Sequence, residues 1–267
     1  MKNIRQLMSL KGRVALITGG AGHLGYAMAI ALAQAGAHII LVDRGQAQPQ
    51  AKAALLKKKY EIKSVGIELD LTDKRQVEAL PAAVRRHMGR LDILINCAAL
   101  VGTSQLKGWA VPFLQQDIDT WCQAMEINLT SVFALSQQCY PLLKKSKNAT
   151  IINIASIYGI LGPDMSLYQG TKLGNPAAYA ASKGGLIQLT RWLATNLAPE
   201  VRVNAISIGG VFRNHEEPFL SRYKKKTPLN RMATEEDILG AALYLASDLS
   251  LYVTGHNLVV DGGLSTW

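Results

Sequence analysis

Residues 13–34 read RVALITGGAGHLGYAMAIALAQ, in which an apolar run is followed by a glycine-rich turn and an alanine-rich segment. The apolar run is typical of a buried strand, and the alanine-rich segment favours a helix. Glycines in such a turn let the main chain approach a pyrophosphate, and the helix N-terminus offers unpaired N–H groups to its charge. This order therefore predicts a dinucleotide-binding site. Its expected contacts are Gly19, Gly22, His23, Leu24 and Gly25.

The alternation of apolar runs and helical patterns continues along the chain. Further strands are predicted near residues 37–42, 64–69, 92–96, 149–155, 202–207 and 257–260. With 267 residues and 49% hydrophobic content, the chain can bury one substantial core. The pattern predicts a single doubly wound α/β (Rossmann) domain over residues 1–267. Its seven-stranded parallel sheet would carry helices on both faces and ligands at the carboxyl ends of the strands.

Acidic residues end the second and third predicted strands. At the end of the second, Asp43 can accept hydrogen bonds from adenosine ribose hydroxyls and repel a 2′-phosphate, which favours NAD over NADP. The adjacent Arg44 offers a phosphate partner and would soften that preference. At the end of the third, Asp70 is expected to cap the turn at Leu71 and Thr72 and also to touch the adenine.

Two tyrosine–lysine pairs lie at helical spacing, Tyr168 with Lys172 and Tyr179 with Lys183. Side chains at i and i+4 share a helix face, where an ammonium can stabilise a phenolate and make the tyrosine a proton-transfer group near neutral pH. Glycines and a proline interrupt the first segment, whereas residues 177–198 contain no proline and are rich in helix formers. We therefore interpret Tyr179 and Lys183 as the acid/base pair.

Composition narrows the classes of partner. The formal charge is +10, but the basic runs are scattered and lack interleaved aromatic residues, which argues against nucleic-acid binding and favours steering of an anionic cofactor or substrate. No apolar run approaches ~20 residues, and the first residues do not resemble a signal peptide. The three cysteines have no disulfide or metal-ligand spacing. A cytoplasmic protein without membrane, nucleic-acid or metal partners is expected.

The ordered motifs resemble those of the short-chain dehydrogenase/reductase family over nearly the whole chain. They are TGGAGHLG at 18–25, DILINCAA at 92–99, Asn128, IAS at 154–156, the Tyr179/Lys183 pair and RVNAISIGGV at 202–211. The resemblance implies reversible oxidation of a secondary alcohol, with a hydride passing to nicotinamide and a proton to tyrosine. It also implies a homo-oligomer, a tetramer or a dimer, assembled partly through helices near 131–145 and 179–198.

The resemblance assigns roles to particular residues. Tyr179 would be the general acid/base, and Lys183 would lower the pKa of Tyr179 and hold the nicotinamide ribose. Ser156 would bind the substrate oxygen, and Asn128 would anchor a water that links the lysine to a proton relay. Further cofactor contacts are expected from Asn96, Ala98, Gly209 and Val211.

Most family members place the serine and the tyrosine closer together than Ser156 and Tyr179 are here. Residues 160–176 are therefore expected to form an insertion beside the substrate pocket, and residues 211–230 a lid. Substrate contacts are expected from Tyr168, Gln169 and Arg213, whereas His215 is expected at the surface. The insertion resembles that of dehydrogenases in bacterial flagellin-glycan and nonulosonic-sugar pathways, which implies a sugar, amino sugar or polyol substrate.

Two alternatives stay open. A 3-oxoacyl thioester reductase would suit the basic surface, because its carrier protein is acidic. A dinucleotide-binding protein without turnover would need only the glycine-rich turn.

Overall fold

A computed structural model describes residues 1–102 and 104–267. Its seven parallel strands form one sheet in the order β3-β2-β1-β4-β5-β6-β7. The strands are β1 (Val14–Thr18), β2 (His38–Asp43), β3 (Ser64–Glu68), β4 (Ile93–Asn96), β5 (Ala149–Ser156), β6 (Val201–Ile208) and β7 (Asn257–Val260). The doubly wound fold is confirmed, and each predicted strand lies within two residues of an observed one. The strand order reverses between β1 and β4, where open α/β sheets bind ligands.

Helices cover both faces of the sheet. They are α1 (Ile4–Met8), α2 (His23–Gln34), α3 (Pro49–Tyr60), α4 (Lys74–Met88), α5 (Ile118–Met125), α6 (Ser131–Leu143), α7 (Ala177–Leu197), α8 (Phe219–Lys226) and α9 (Glu236–Ala246). A π-helical turn, Glu126–Thr130, joins α5 to α6. Among the described residues, none of the helices combines the length and apolar character needed to cross a membrane.

Strand β1 is apolar on both of its faces because helices pack against both faces of the sheet. Ala15 and Ile17 pack with α2 and α9 on one face, whereas Val14 and Leu16 pack with α4, α6 and α7 on the other. Successive side chains of a strand point to opposite faces, so a strand buried on both sides must be apolar throughout.

The two segments expected around the substrate pocket take little regular structure. Residues 160–176 contain one short 3₁₀ stretch, Met165–Tyr168, and end where α7 begins directly after Pro176. Residues 211–230 contain α8, and Val211 pairs with Ala233 in an isolated parallel bridge. Both segments stand at the carboxyl ends of β5 and β6.

Candidate active site

A cavity of about 800 Å³ opens at the carboxyl ends of the strands, around the reversal of strand order between β1 and β4. It runs from the glycine-rich turn to α8. Most of the expected cofactor contacts line it, namely Gly19, Gly22, His23, Leu24, Gly25, Asp43, Asp70, Leu71, Ala98, Gly209 and Val211. Its volume is in the range of cofactor-sized ligand sites, about 300–1,000 Å³.

The glycine-rich turn is shaped for close approach. Gly19 has φ +61°, and a Cβ there would lie 2.9 Å from the Ala98 main chain. A Cβ at Gly25 would lie 2.2 Å from the Gly19 carbonyl oxygen, so a side chain at either position would push the turn open. Helix α2 begins at His23, and no side chain caps its first N–H groups. Those groups face the cavity and fit the pyrophosphate of a dinucleotide.

Two carboxylates lie at the far end of the cavity. Asp43 accepts hydrogen bonds from the main-chain N–H of Ala21 at 3.0 Å and of Arg44 at 2.9 Å. Asp70 accepts from the N–H and the hydroxyl of Thr72, at 2.9 and 2.8 Å, and these bonds lower its pKa. The expected cap is confirmed. Both carboxylates are ordered by main-chain donors and fit the adenosine end of a dinucleotide.

The pair that we interpret as acid and base, Tyr179 with Lys183, lies on α7, so the predicted continuous helix is confirmed. Tyr179 is in the first turn and Lys183 one turn later, and the Lys183 ammonium is 5.8 Å from the centre of the Tyr179 ring. Lys183 Nζ also donates to the Ile154 carbonyl of β5 at 2.7 Å, and Ser156, at the end of β5, lines the same cavity as Tyr179. In the alternative pair, Tyr168 lies in a 3₁₀ stretch and Lys172 is exposed outside any helix.

The electrostatics of this pair correct one expectation. Burial raises the pKa of Tyr179 above its usual value, although the hydrogen bond from Ser156 acts in the opposite direction. Burial also lowers the pKa of Lys183 to about 8. The protein alone therefore does not lower the Tyr179 pKa, because desolvation is the largest cause of its shift. An oxidised nicotinamide would add the positive charge that favours the phenolate.

Asn128 lies behind the cavity. It is buried in the π-helical turn, where its Oδ1 accepts from the Leu100 N–H at 2.7 Å and its Nδ2 donates to the Leu100 carbonyl at 3.0 Å. Its Nδ2 also donates to the Ser182 hydroxyl at 3.1 Å, beside Lys183 on α7. The mid-helix asparagine thus coincides with a backbone distortion, and its side chain fixes the loop after β4 to α7.

Three expected site residues do not line the cavity, namely Asn128, which lies behind it, Asn96 and Gln169. The side chain of Asn96 is 2% exposed and donates to Asn153 at 2.8 Å inside the sheet, so Asn96 supports the cavity floor from behind. Gln169 is exposed, and its main-chain carbonyl accepts from Arg222. The direction of each side chain depends on packing that a motif does not encode.

The substrate end contains residues that the sequence did not reveal. They are Tyr158, Asn175, His215, Phe219, Tyr223 and Met232. The expectation for His215 was wrong, because its ring lies between Phe212 and Phe219 with centroids 6.2 and 5.2 Å away, and burial lowers its pKa. Flanking aromatic residues in FRNHEEPF were the available signal. Arg213 lines the cavity as expected and pairs with Glu235 at 2.8 Å.

Known proteins match this chain along its length. A family model described as Enoyl-(Acyl carrier protein) reductase matches residues 19–265. The 2-dehydro-3-deoxy-D-gluconate 5-dehydrogenase of Formosa agariphila is 32% identical, over 97% of this chain and 94% of that protein. FabG of Thermotoga maritima, a 3-oxoacyl-(acyl-carrier-protein) reductase, is 33% identical over 96% and 99%. Flagellin modification protein A of Campylobacter coli is 27% identical over 95% and 98%.

Solved structures agree with these relatives. A gluconate 5-dehydrogenase from Burkholderia cenocepacia, in complex with NADP and tartrate, superposes with a TM-score of 0.88 at 28% identity over 99% of this chain and all of that one. A short-chain dehydrogenase from Leptospira borgpetersenii with bound NAD⁺ gives 0.85 at 33% identity, over 99% and 96%. The chain belongs to the short-chain dehydrogenase/reductase family. It is an NAD(P)-dependent oxidoreductase of CH–OH groups.

Proposed function

We propose that this enzyme interconverts a ketone and a secondary alcohol on a sugar acid, sugar or polyol, with NAD(H) as the preferred cofactor. The observation that carries the proposal is the meeting of Ser156, Tyr179 and Lys183 in a cavity whose cofactor end has a dinucleotide-shaped turn. The nicotinamide, when bound, supplies or accepts the hydride.

The protein's own groups handle the substrate oxygen and its proton. The Tyr179 hydroxyl donates its proton to the ketone oxygen during reduction and takes it back during oxidation. The Ser156 hydroxyl holds the same oxygen by a hydrogen bond. The Lys183 ammonium, fixed by the Ile154 carbonyl, favours the phenolate that remains when Tyr179 has given up its proton. The side chain of Asn128 holds the loop after β4 against helix α7 by its hydrogen bonds to Leu100 and Ser182.

The substrate end of the cavity favours a small polar compound. Tyr158 and Tyr168 line it together with Arg213 and His215, and side chains of these types bind hydroxyls and carboxylates. Phe219 and Met232 supply a limited apolar wall. Similar proteins named for gluconate-type substrates support the same class.

A second candidate is reduction of a 3-oxoacyl thioester. Helix α8 ends in Lys224, Lys225 and Lys226 beside the cavity, which would suit an acidic carrier protein, and the Thermotoga relative is named for that reaction. We rank it second because the polar groups at the substrate end have no counterpart on a simple acyl chain.

The test is a panel of substrates whose reduction is measured by the change in cofactor absorbance. It contains 5-keto-D-gluconate, L-sorbose and acetoacetyl-CoA, each with NADH and with NADPH. We expect reduction of at least one of the two polyhydroxy ketones with a higher kcat/KM than acetoacetyl-CoA. Turnover of the thioester alone would overturn the sugar assignment, and turnover of none would overturn the proposed substrate classes.

The cofactor preference is tested at Asp43. Asp43→Asn keeps an acceptor for the Ala21 N–H but removes the charge that would face a 2′-phosphate, while Arg44 remains. We expect the ratio of NADPH to NADH dissociation constants to fall by about tenfold, equivalent to about 1.4 kcal/mol of repulsion. Glu78→Ala, an exposed change on α4, is the control. An unchanged ratio in Asp43→Asn would contradict the assigned role.

A further inference from the structure

A hydrogen-bonded pair of phenols stands beside the reacting groups. The hydroxyls of Tyr158 and Tyr168 are 2.7 Å apart, and both side chains are half-buried at the substrate end of the cavity. They come from different segments, Tyr158 from the 3₁₀ turn that follows β5 and Tyr168 from the insertion. The Tyr168 ring packs on Phe219 of α8 with centroids 5.5 Å apart, which fixes its position.

The pair leaves hydrogen-bonding capacity unused. Two phenols carry two hydrogens, and the bond between them uses one. Asn175 is 8% exposed and lines the same cavity as Tyr168. The Oδ1 atom of Asn175 is buried and has no partner in the part of the chain that the structure describes. A buried polar atom without a partner costs about 1–3 kcal/mol, so one hydroxyl hydrogen and one amide oxygen remain to be satisfied.

The position of the pair indicates which part of a substrate it meets. The Tyr158 N–H donates to the Ser156 hydroxyl at 3.2 Å, so this tyrosine is anchored to the group expected to hold the reacting oxygen. Tyr158, Tyr168 and Tyr179 line the same cavity, so the phenol pair shares the substrate end with the expected acid/base group. The part of a substrate that meets the pair is therefore close to an oxygen held by Ser156 and Tyr179.

We propose that Tyr158, Tyr168 and Asn175 form a subsite for a hydroxyl group on the carbon adjacent to the reacting carbon. A hydroxyl donates one hydrogen bond and accepts another, which matches the free hydrogen and the free amide oxygen. The subsite would select α-hydroxyketones and 1,2-diols over simple ketones and alcohols. This inference rests on the proposed function and specifies its substrate class.

The experiment compares two ketones that differ by one hydroxyl, 1-hydroxy-2-butanone and 2-butanone, by the kcat/KM of their reduction. In the native enzyme we expect the hydroxyketone to be favoured. In Tyr168→Phe and Asn175→Ala we expect the ratio to fall by about tenfold or more, with the 2-butanone value within about threefold of native. Tyr252→Phe, which alters a fully exposed tyrosine, should leave both values unchanged.

Each other outcome overturns a definite part of the account. An unchanged ratio in both variants, or an equal loss with both ketones, would mean that the cluster has a scaffolding role only. Equal rates for the two ketones in the native enzyme would remove the subsite but leave the oxidoreductase proposal intact. Failure to reduce either ketone or any polyhydroxy ketone of the earlier panel would overturn the proposed function itself.

Discussion

At the scale of single residues, the site depends on a buried lysine whose charge is expensive to keep. Burial lowers the pKa of Lys183 from 10.5 to about 8, although the ammonium retains its hydrogen bond to the Ile154 carbonyl. Between pH 8 and 10.5 the unfolded chain holds a proton that the native chain has released. The free energy of unfolding therefore rises with pH across that window. Below pH 8 the lysine is charged in the native state, so the full cost of burying its charge destabilises the fold.

Lys183→Met tests this linkage. The variant lacks the titrating group. The free energy of unfolding of the native protein minus that of the variant should therefore increase between pH 7 and pH 9.5. The slope is at most about 1.4 kcal/mol per pH unit above the native pKa. Urea unfolding at both pH values measures it, with Lys172→Met as the exposed control. A native-minus-variant difference that stays constant would show that the pKa of Lys183 is not lowered.

Residue identities were predictable where the signal was local. Tyr179 could be distinguished from Tyr168 because helix continuity depends on nearby glycines and prolines. Tyr158, Asn175 and His215 could not be found in that way, because each enters the cavity through the conformation of an irregular segment. Asn96 and Gln169 failed for the same reason, since a motif places the main chain but not the side chain.

At the scale of elements, helix α8 of the expected lid is held to residues 160–176, the expected insertion. The Arg222 guanidinium donates to the carbonyls of Ser166 and Leu167, at 3.3 and 3.5 Å, and to that of Gln169. Lys226 forms an ion pair with Asp164. The same contacts fix the segment that carries Tyr168, so the lid and one wall of the substrate end form a unit.

Loss of the Arg222 contacts should weaken substrate binding. Arg222→Met keeps an aliphatic stem but removes the hydrogen bonds, each of which is worth about 1.5–3 kcal/mol when a charged donor is involved. We expect KM for the best ketone to rise about tenfold with kcat within about threefold of native. Steady-state kinetics measure both constants. Lys225→Met, on the same helix, should behave as native, and an equal effect in both variants would indicate a general loss of charge.

The sequence predicted the strands more reliably than it predicted local distortions or contacts between segments. Strands buried on both faces read as apolar runs, so all seven were found. At Asn128, only tertiary contacts with Leu100 and Ser182 distinguish a π-helical turn from regular helix. The bounds of the expected insertion and lid depend on length and family resemblance, whereas the contacts between the two segments are long-range and no local pattern predicts them.

At the scale of the whole molecule, large apolar side chains stand exposed on the outer faces of α6 and α7. Trp192 is 52% exposed and Phe133 is 40% exposed. Aromatic residues of this size are enriched in protein interfaces and at hot spots within them. We propose that these faces pair in a homo-oligomer, a dimer or a tetramer.

Trp192→Glu tests the assembly. A charge at the centre of an apolar contact is desolvated without a partner, so we expect the mass in solution to fall to half or less of the native value. Sedimentation velocity measures the mass, and Leu55→Glu on α3 is the control for a charge at another exposed apolar position. A native chain that is monomeric at micromolar concentration would contradict the proposal.

The central claim is that the Tyr179 hydroxyl transfers the proton. The most direct measurement is kcat of Tyr179→Phe and Tyr168→Phe with whichever ketone the native enzyme reduces fastest, together with cofactor dissociation constants by fluorescence. We expect Tyr179→Phe to lose at least about a hundredfold in kcat with cofactor binding kept, and Tyr168→Phe to keep kcat within about threefold. The reverse pattern would contradict the account.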